Sequence, residues 1–406
     1  MMKGLQDESR MTAPFPRYSL AVLLVLSGAC ALQAQDSNGL APEVADLNAA
    51  AVSYALEAKL PDLPQAYLST APQDLRDGIP VGVLGVDGGN KDAVLKFARE
   101  IEAGGHGEID SLLIAHHGKL LFESYYRRGR LNYPHYQMSI TKSYTAMAIG
   151  RAIQLGHLTM ADLDKPVVGF LKNLRPAQFV TGAKAITLSE AMNMHSGVRL
   201  DEAKAARLVK DSAALRGQGQ IQAYLEHSAP IPDPPREYKY QASDPAMTMQ
   251  VLEAVVPGSA REFIVKELFG KMGITNFNWE TDVSGLPKSA AGSGVRSRDM
   301  LKWGLLVLGG GKWQGEQLIP AAFVTKATSR LYTNRQGTSY GFFWWRHAMK
   351  VGEKEFDCQS ARGAGGQFIF ILPELDLIVV VTAHHKGMGT MLTTTPQRLL
   401  PAFMAK

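Results

Sequence analysis

The sequence predicts an α/β (α+β) chain in which an antiparallel sheet body is interrupted by an all-α insertion. Three observations carry this. Ile109–His116 and Leu120–Tyr125 are β-rich runs joined by only His117-Gly118-Lys119, which reads as a hairpin. A long middle stretch then has helical periodicity. Apolar strands return near the end, at Tyr340–Arg346, Gln367–Leu372 and Leu375–Ala383. Strands at both ends with helices between them imply one sheet assembled from distant segments. The body is expected over about 106–155 and 290–406, and the insertion over about 156–289.

In chain order, Leu20 to Ala31 is a short apolar run preceded by Arg17 and followed by small residues, the pattern of a secretory signal. Residues 1–34 are therefore read as a signal peptide, cleaved after Ala31 or Ala34, possible translation start at Met11 included. The predicted location is periplasmic or secreted. The run is too short for a stable membrane span. Cys30 invites lipoprotein anchoring, but Ser27 stands where a lipobox wants an aliphatic residue, so anchoring is the lesser reading. With Cys30 removed, Cys358 is alone and no disulfide can form.

Residues 35–105 read as an N-terminal wrapping segment and a first helix. The segment is rich in Ala, Pro and Gly; the helix, Asn90 to Ala103, is amphipathic and stopped by Gly104-Gly105. A helix from Ser139 to Gly156 follows the hairpin. Met160–Leu171 and Ile186–Met194 read as short helices, Ala246–Val256, Arg261–Met272 and Asp299–Leu308 as longer ones, and a last helix starts near Thr395. Pro230–Pro235 carries four prolines and must be an extended loop.

The chain has 406 residues, 46% hydrophobic and 20% charged, with a formal net charge of +5. That is an ordinary globular composition. The densest basic patch, Tyr126-Arg127-Arg128-Gly129-Arg130, reads as a solvated loop, and no nucleic-acid partner is expected.

Chemistry concentrates at the start of the Ser139 helix. Ser139 and Lys142 stand three apart and share one face of the first turn. A lysine at the mouth of a buried helix loses hydration, which lowers its pKa and lets it take a proton from a hydroxyl. Backbone N–H groups at a helix N-terminus suit a developing anion. The plainer reading is a capping serine followed by a snorkelling lysine, and the spacing alone does not decide. Two further stretches bear on it. Tyr238 and Tyr240 alternate in an extended segment; a tyrosine near a cation is biased toward phenolate and can relay a proton. Arg362-Gly363-Ala364-Gly365-Gly366-Gln367 offers a strand edge where backbone or ligand can approach closely, or simply a tight turn.

Other chemistries lack their residues. Ser293 follows Ala291-Gly292, so there is no Gly-x-Ser-x-Gly elbow; Gly309-Gly310-Gly311-Lys312 is followed by Trp313 where a phosphate loop needs Ser or Thr. There is no His-Glu-x-x-His or Cys-x-x-Cys. In the pairs His116-His117 and His384-His385 successive strand residues face opposite sides, so no metal site and no cofactor is expected.

Taken in order, several segments resemble the serine β-lactamase and penicillin-binding-protein-like superfamily over roughly residues 75–405. They are Ser139-Ile-Thr-Lys142-Ser143, Ser196-Gly197, Tyr240 to Asp244, Gly310-Gly-Lys-Trp313, Tyr340-Gly-Phe-Phe-Trp-Trp345 and Gly365-Gly-Gln-Phe-Ile. The nearest branch is the esterase and 6-aminohexanoate-dimer-hydrolase-like one, related to class C β-lactamases. The resemblance implies a five-stranded antiparallel sheet flanked by helices, with an all-α domain across the cleft. It also implies Ser139 as nucleophile, Lys142 as proton acceptor, Tyr240 as relay to the leaving group, and the backbone N–H groups of Ser139 and Gln367 as oxyanion hole.

Two departures bear on substrate. Ala242 fills the third position of the tyrosine motif, leaving Ser243 to supply a substrate contact. Ala364 replaces the Lys or His that begins the strand motif, leaving Arg362 as the available cation beside Gly365 and Gly366. The reading is an exported serine hydrolase acting on a small-molecule ester or amide. The alternatives are a β-lactamase or D-alanyl-D-alanine carboxypeptidase, and a non-catalytic relative that binds peptidoglycan fragments or a partner.

Overall fold

Nine strands form one antiparallel sheet, rather than the five expected. From one edge the order is Tyr67–Ser69, Lys119–Tyr125, Ile109–His116, Leu377–Ala383, Gln367–Leu372, Lys354–Gly363, Trp345–Val351, Ser339–Tyr340 and Tyr332–Thr333. Six strands are long, and the three of two or three residues extend the edges. The computed structural model describes residues 39–201, 204 and 212–404, so the expected signal peptide lies outside the described residues. Among the described residues no helix is long and apolar enough to cross a membrane.

The central strands read as unbroken apolar runs because both faces of the sheet are covered. Ile369, Ile371, Ile378, Val380 and Leu113 face one core with the helices Ile140–Gln154 and Ser297–Leu308. Phe368, Phe370, Val379, Val381 and Leu112 face a second core with the helix Lys91–Glu102 and the C-terminal Met391, Leu399 and Phe403. Alternation assigns each residue to its side. Helix Ser297–Leu308 comes close to the sheet because Gly304 has no side chain; a Cβ there would lie 2.7 Å from Ile378 Cγ2.

The strand Lys354–Gly363 escapes sequence reading because its inward positions include Ser360 and Arg362 beside Phe356 and Cys358, so its hydropathy does not alternate clearly. The expected strand Tyr340–Arg346 is broken. Phe343 takes φ +60°, and Gly341 packs so tightly that a Cβ would meet Ala327 O at 2.2 Å. Met160–Leu171 forms two 3₁₀ turns, Met160–Asp164 and Val167–Gly169, separated by Pro166, which cannot donate to a continuing helix. The basic patch is not a solvated loop: Arg128 and Arg130 are buried, and Arg128 pairs with Glu108 at 2.7 Å and Asp110 at 3.2 Å.

The wrapping segment contributes the edge strand Tyr67–Ser69 and is tied down by charge. Arg298 is 1% exposed and bonds Asp77 at 2.8 Å and Glu123 at 2.9 Å. Removing the guanidinium leaves two carboxylates without their counter-ion, one of them fully buried. We predict that Arg298→Ala lowers the unfolding free energy by about 3–5 kcal/mol in urea titration. A loss below about 1 kcal/mol would mean the network acts like a surface pair.

Candidate active site

Helix Ile140–Gln154 is buried from Ile140 through Ala152, so its polar side chains must be satisfied internally. Ser143 Oγ donates to Phe343 O at 2.7 Å, Thr145 Oγ1 to Thr141 O at 3.0 Å, and Tyr144 OH to Gln137 Oε1 at 3.1 Å. The chain enters the helix through Met138, whose φ of +49° is rare for a residue with a side chain. Thr141 Oγ1 holds that turn by donating to Met138 O at 2.7 Å.

This turn leaves Ser139 as the residue before the helix, with no capping hydrogen bond from its side chain. Instead, Lys142 Nζ donates to Ser139 Oγ at 2.9 Å and to Ala290 O at 2.6 Å. Lys142 is 4% exposed and, among the described residues, pairs with no carboxylate. Burial lowers its pKa to about 8. Lys302 is as deeply buried but has Asp299 at 2.9 Å. The two lysines differ in whether a counter-ion is supplied.

Tyr240 completes the cluster. Its ring lies 4.7 Å from Lys142 Nζ and its hydroxyl hydrogen-bonds the Ser139 side chain. The residue as a whole is 39% exposed. Burial raises its pKa more than the Ser139 bond lowers it, so the phenol stays protonated rather than being biased toward phenolate. Tyr238 does share a side with Tyr240, since both pack on Tyr340, but it stacks on Tyr332 with ring centroids 4.5 Å apart.

Asp244 organises the turn that presents Tyr240. Fully buried, it accepts from Ser196 Oγ at 2.8 Å, Gln241 Nε2 at 2.6 Å and Ser243 Oγ at 2.9 Å, and burial raises its pKa to about 6. Ser243 thus directs its hydroxyl to Asp244 and begins the helix Ser243–Val255; it does not line the cavity at Ser139. Sequence reasoning missed Asp244 and Ser196 as the support of Tyr240, although both lie in stretches already singled out.

A cavity of about 270 Å³ opens on Ser139, lined also by Tyr240, Trp345, Arg362, Ala364, Met388 and Leu392. Two larger cavities, of about 720 and 480 Å³, lie elsewhere and are lined by neither Ser139 nor Lys142. Arg362 lies across the Trp345 ring at 5.2 Å, donates to Ser360 Oγ at 2.9 Å and meets His347 Nδ1 at 2.6 Å. Burial lowers its pKa to about 10, which still leaves it charged at neutral pH. No carboxylate pairs with it among the described residues.

Gly365 and Gly366 form the turn before Gln367 with φ of +84° and +92°, and a Cβ on Gly366 would sit 2.5 Å from His385 Cδ2. Neither lines the cavity at Ser139. Gln367 begins its strand with its side chain turned to His135 and Ala383. Gly363 brings the preceding strand against the Gln137–Ser139 turn, since a Cβ there would lie 2.4 Å from Gln137 O.

A serine hydroxyl beside an unpaired buried amine and a protonated tyrosine can be deprotonated and acylated. Residues 97–402 match the Beta-lactamase family. The chain belongs to that family. It is a hydrolase of the β-lactamase type, with the corresponding mixed fold. Among curated proteins no sequence matches it significantly. Its fold is similar to that of a candidate 6-aminohexanoate-dimer hydrolase from Bacillus anthracis, at 20% identity and a TM-score of 0.57, covering 70% of this chain and 76% of the other. It is also similar to a D-stereospecific amidohydrolase from Streptomyces sp., at 15% identity and TM-score 0.55, covering 73% and 96%. A class C β-lactamase from Rhodobacter sphaeroides is similar at 18% identity and TM-score 0.51, covering 72% and 94%.

The lowered pKa of Lys142 sets a pH dependence for this β-lactamase-family site. The amine accepts a proton only when neutral, and that fraction grows as pH rises through about 8. Labelling of Ser139 by a fluorophosphonate probe should accelerate from about pH 6 and level off about one pH unit above that midpoint. Lys142→Ala should remove this limb while circular dichroism is unchanged; a limb that persists would assign it to another group.

Proposed function

We propose that the protein is an exported serine hydrolase that cleaves a carboxylic ester or amide through acyl-Ser139. The observation that carries this reading is the 2.9 Å contact between Ser139 Oγ and a lysine buried without a counter-ion. In the proposed reaction Lys142 takes the Ser139 proton as Oγ attacks the carbonyl carbon. The backbone N–H of Ser139, at the start of the helix, receives the oxyanion; Gln367, expected to supply the second donor, is fully buried and does not line the cavity. As the intermediate collapses, the C–O or C–N bond breaks and the proton passes from Lys142 through the Tyr240 hydroxyl to the leaving group. Water, activated by the same pair, then releases the acid and restores Ser139. Export rests on the Arg17 and Leu20–Ala31 pattern. We predict that Ser139→Ala abolishes both ester turnover and fluorophosphonate labelling. Labelling retained in this variant would reject Ser139, and a folded wild-type chain that never labels would favour a binding role.

One observation favours a narrower reading, in which the substrate carries a carboxylate, as β-lactams and D-alanyl peptides do. Arg362 brings an unpaired guanidinium to the cavity where Ala364 offers none. A charge-assisted bond to it contributes about 1.5–3 kcal/mol. Arg362→Ala should therefore raise KM for carboxylate-bearing amides by roughly 10- to 100-fold and leave neutral esters nearly unchanged. Equal effects on both classes would make Arg362 a wall of the cavity rather than an anchor.

A further inference from the structure

Behind the strand that begins at Gln367 lies a second cluster of reactive side chains. Glu57, Asp110, His135 and His384 each offer one ligand atom, all within 4.8 Å of one another. They come from four distant places: the short helix Tyr54–Glu57, the strand Ile109–His116, the two-residue strand His135–Tyr136, and the residue after Leu377–Ala383. Glu57 is 2% and His135 4% exposed, and the His384 side chain 4%. None of the four lines the Ser139 cavity.

The hydrogen bonds fix the tautomers. Gln367 Oε1 accepts from Ala383 N at 3.1 Å, and its Nε2 donates to Ala383 O at 2.5 Å, so the amide orientation is set by the backbone. His135 Nε2, 2.5 Å from that Oε1, must therefore be the donor. A neutral imidazole then has its lone pair on Nδ1, which faces Glu57 Oε1 directly. His384 repeats the arrangement. Its Nδ1 donates to Asp110 Oδ2 at 2.7 Å, while its buried Nε2 has no hydrogen-bond partner and points toward Glu57 Oε2 at 3.9 Å. The charge of Asp110 is balanced by Arg128. Among the described residues, Glu57 pairs with histidines only and accepts the Tyr136 N–H at 3.0 Å.

Two imidazole lone pairs and a carboxylate thus converge in a buried space, and among the described residues no side-chain donor stands between them. We propose that Glu57, His135 and His384 hold a divalent transition-metal cation of the zinc class, with Asp110 and Gln367 orienting the two imidazoles. Nitrogen and carboxylate ligands suit that class. The second ring nitrogen of each ligand is held by an acceptor, as metal-bound histidines usually are. A proton on His135 would satisfy its contact with Glu57 but leave His384 Nε2 orphaned; the cation satisfies both. Tyr54 covers the site, stacked on His384 with centroids 4.7 Å apart. Removed from the cavity, the cation would serve as a clamp. It joins the N-terminal segment to the sheet and fixes His135, four residues before the nucleophile.

The test is Co²⁺ titration of the full, untagged chain after chelator treatment, followed by visible absorption, with the thermal midpoint recorded with and without Zn²⁺. We expect d–d bands saturating at about one equivalent and a raised midpoint. Glu57→Gln and His384→Gln should lose the bands, and Asp110→Asn should weaken affinity about 10- to 100-fold. A folded, stripped wild type that gives neither bands nor a midpoint shift would overturn the proposal. So would folded Glu57→Gln or His384→Gln chains that bind as tightly as wild type. If those variants do not fold, the wild-type titration decides the matter alone.

Discussion

An amine buried without a counter-ion is the constraint around which this molecule is arranged. Desolvation penalises the charged form of Lys142, and among the described residues no carboxylate pairs with it to repay that cost. A surface lysine at the same spacing would stay protonated and merely bond to Ser139. Burial that deep requires a helix enclosed on every side, which a single hairpin cannot supply. The enclosing walls come from helix Ser243–Val255, the loop at Ala290 and strands from the last quarter of the chain. The long-range topology is therefore part of the chemistry: strands from both ends of the sequence must meet before the lysine is dry.

Position demands as much as burial. Ser139 escapes a capping role because Met138 adopts a left-handed conformation and turns the chain into the helix abruptly. Strained backbone of this kind persists only where its surroundings over-determine it. Here Thr141 holds the Met138 carbonyl and also contacts Ser293 Oγ at 2.7 Å, while Gly363 lets a strand press against Gln137. Tyr240 is held by a different device, the buried carboxylate of Asp244 gathering Ser196, Gln241 and Ser243 around one turn. Ser139 and Tyr240 come from separate segments, each fixed by its own local network.

How far the sequence speaks follows from this division. The hairpin, the central strands and the buried helix were legible because their apolar patterns are local and strong. The Ser139–Lys142 pair was legible for the same reason, its geometry being set by three residues of helix. The strand Lys354–Gly363 was hidden because it borders the cleft and carries polar groups inward. Tyr240 could be selected only by the order of motifs along the chain. The direction of the Ser243 hydroxyl depended on Asp244 being buried, which no periodicity announces. The Glu57–His384 cluster was the least accessible. Its members are spread over more than three hundred positions, and the rule that adjacent strand histidines split, applied to His384-His385, removed one of them from consideration. The rule does not reach this pair, because both histidines follow the strand Leu377–Ala383; His384 turns to Asp110 while His385 packs against Gly366, and the rings of His116 and His117 lie 3.8 Å apart rather than on opposite faces.

The electrostatics of the cavity narrow what can occupy it. Trp345, Met388, Leu392 and Ala364 give it apolar walls, so a polar ligand must find its partners among the few charged or hydroxyl groups present. Those groups are Ser139, the Tyr240 hydroxyl, and Arg362, with Lys142 just behind. Arg362 lacks a carboxylate among the described residues, so the cavity presents its positive potential without an internal anion to offset it. Arg362 is held back by neutral contacts alone, the Trp345 ring, Ser360 and His347. Neutral partners fix a guanidinium in place without consuming its charge, whereas an aspartate would have neutralised it. A cation kept rigid and unpaired beside the Ser139 hydroxyl is arranged for an acceptor that arrives from outside, and in a low-dielectric setting its interaction with that acceptor is strengthened. The positive group of the cavity therefore comes from Arg362 on the strand, and Ala364, two residues later, adds none. That placement bears on which anionic or carbonyl-bearing molecules fit more than on whether an anion is welcome.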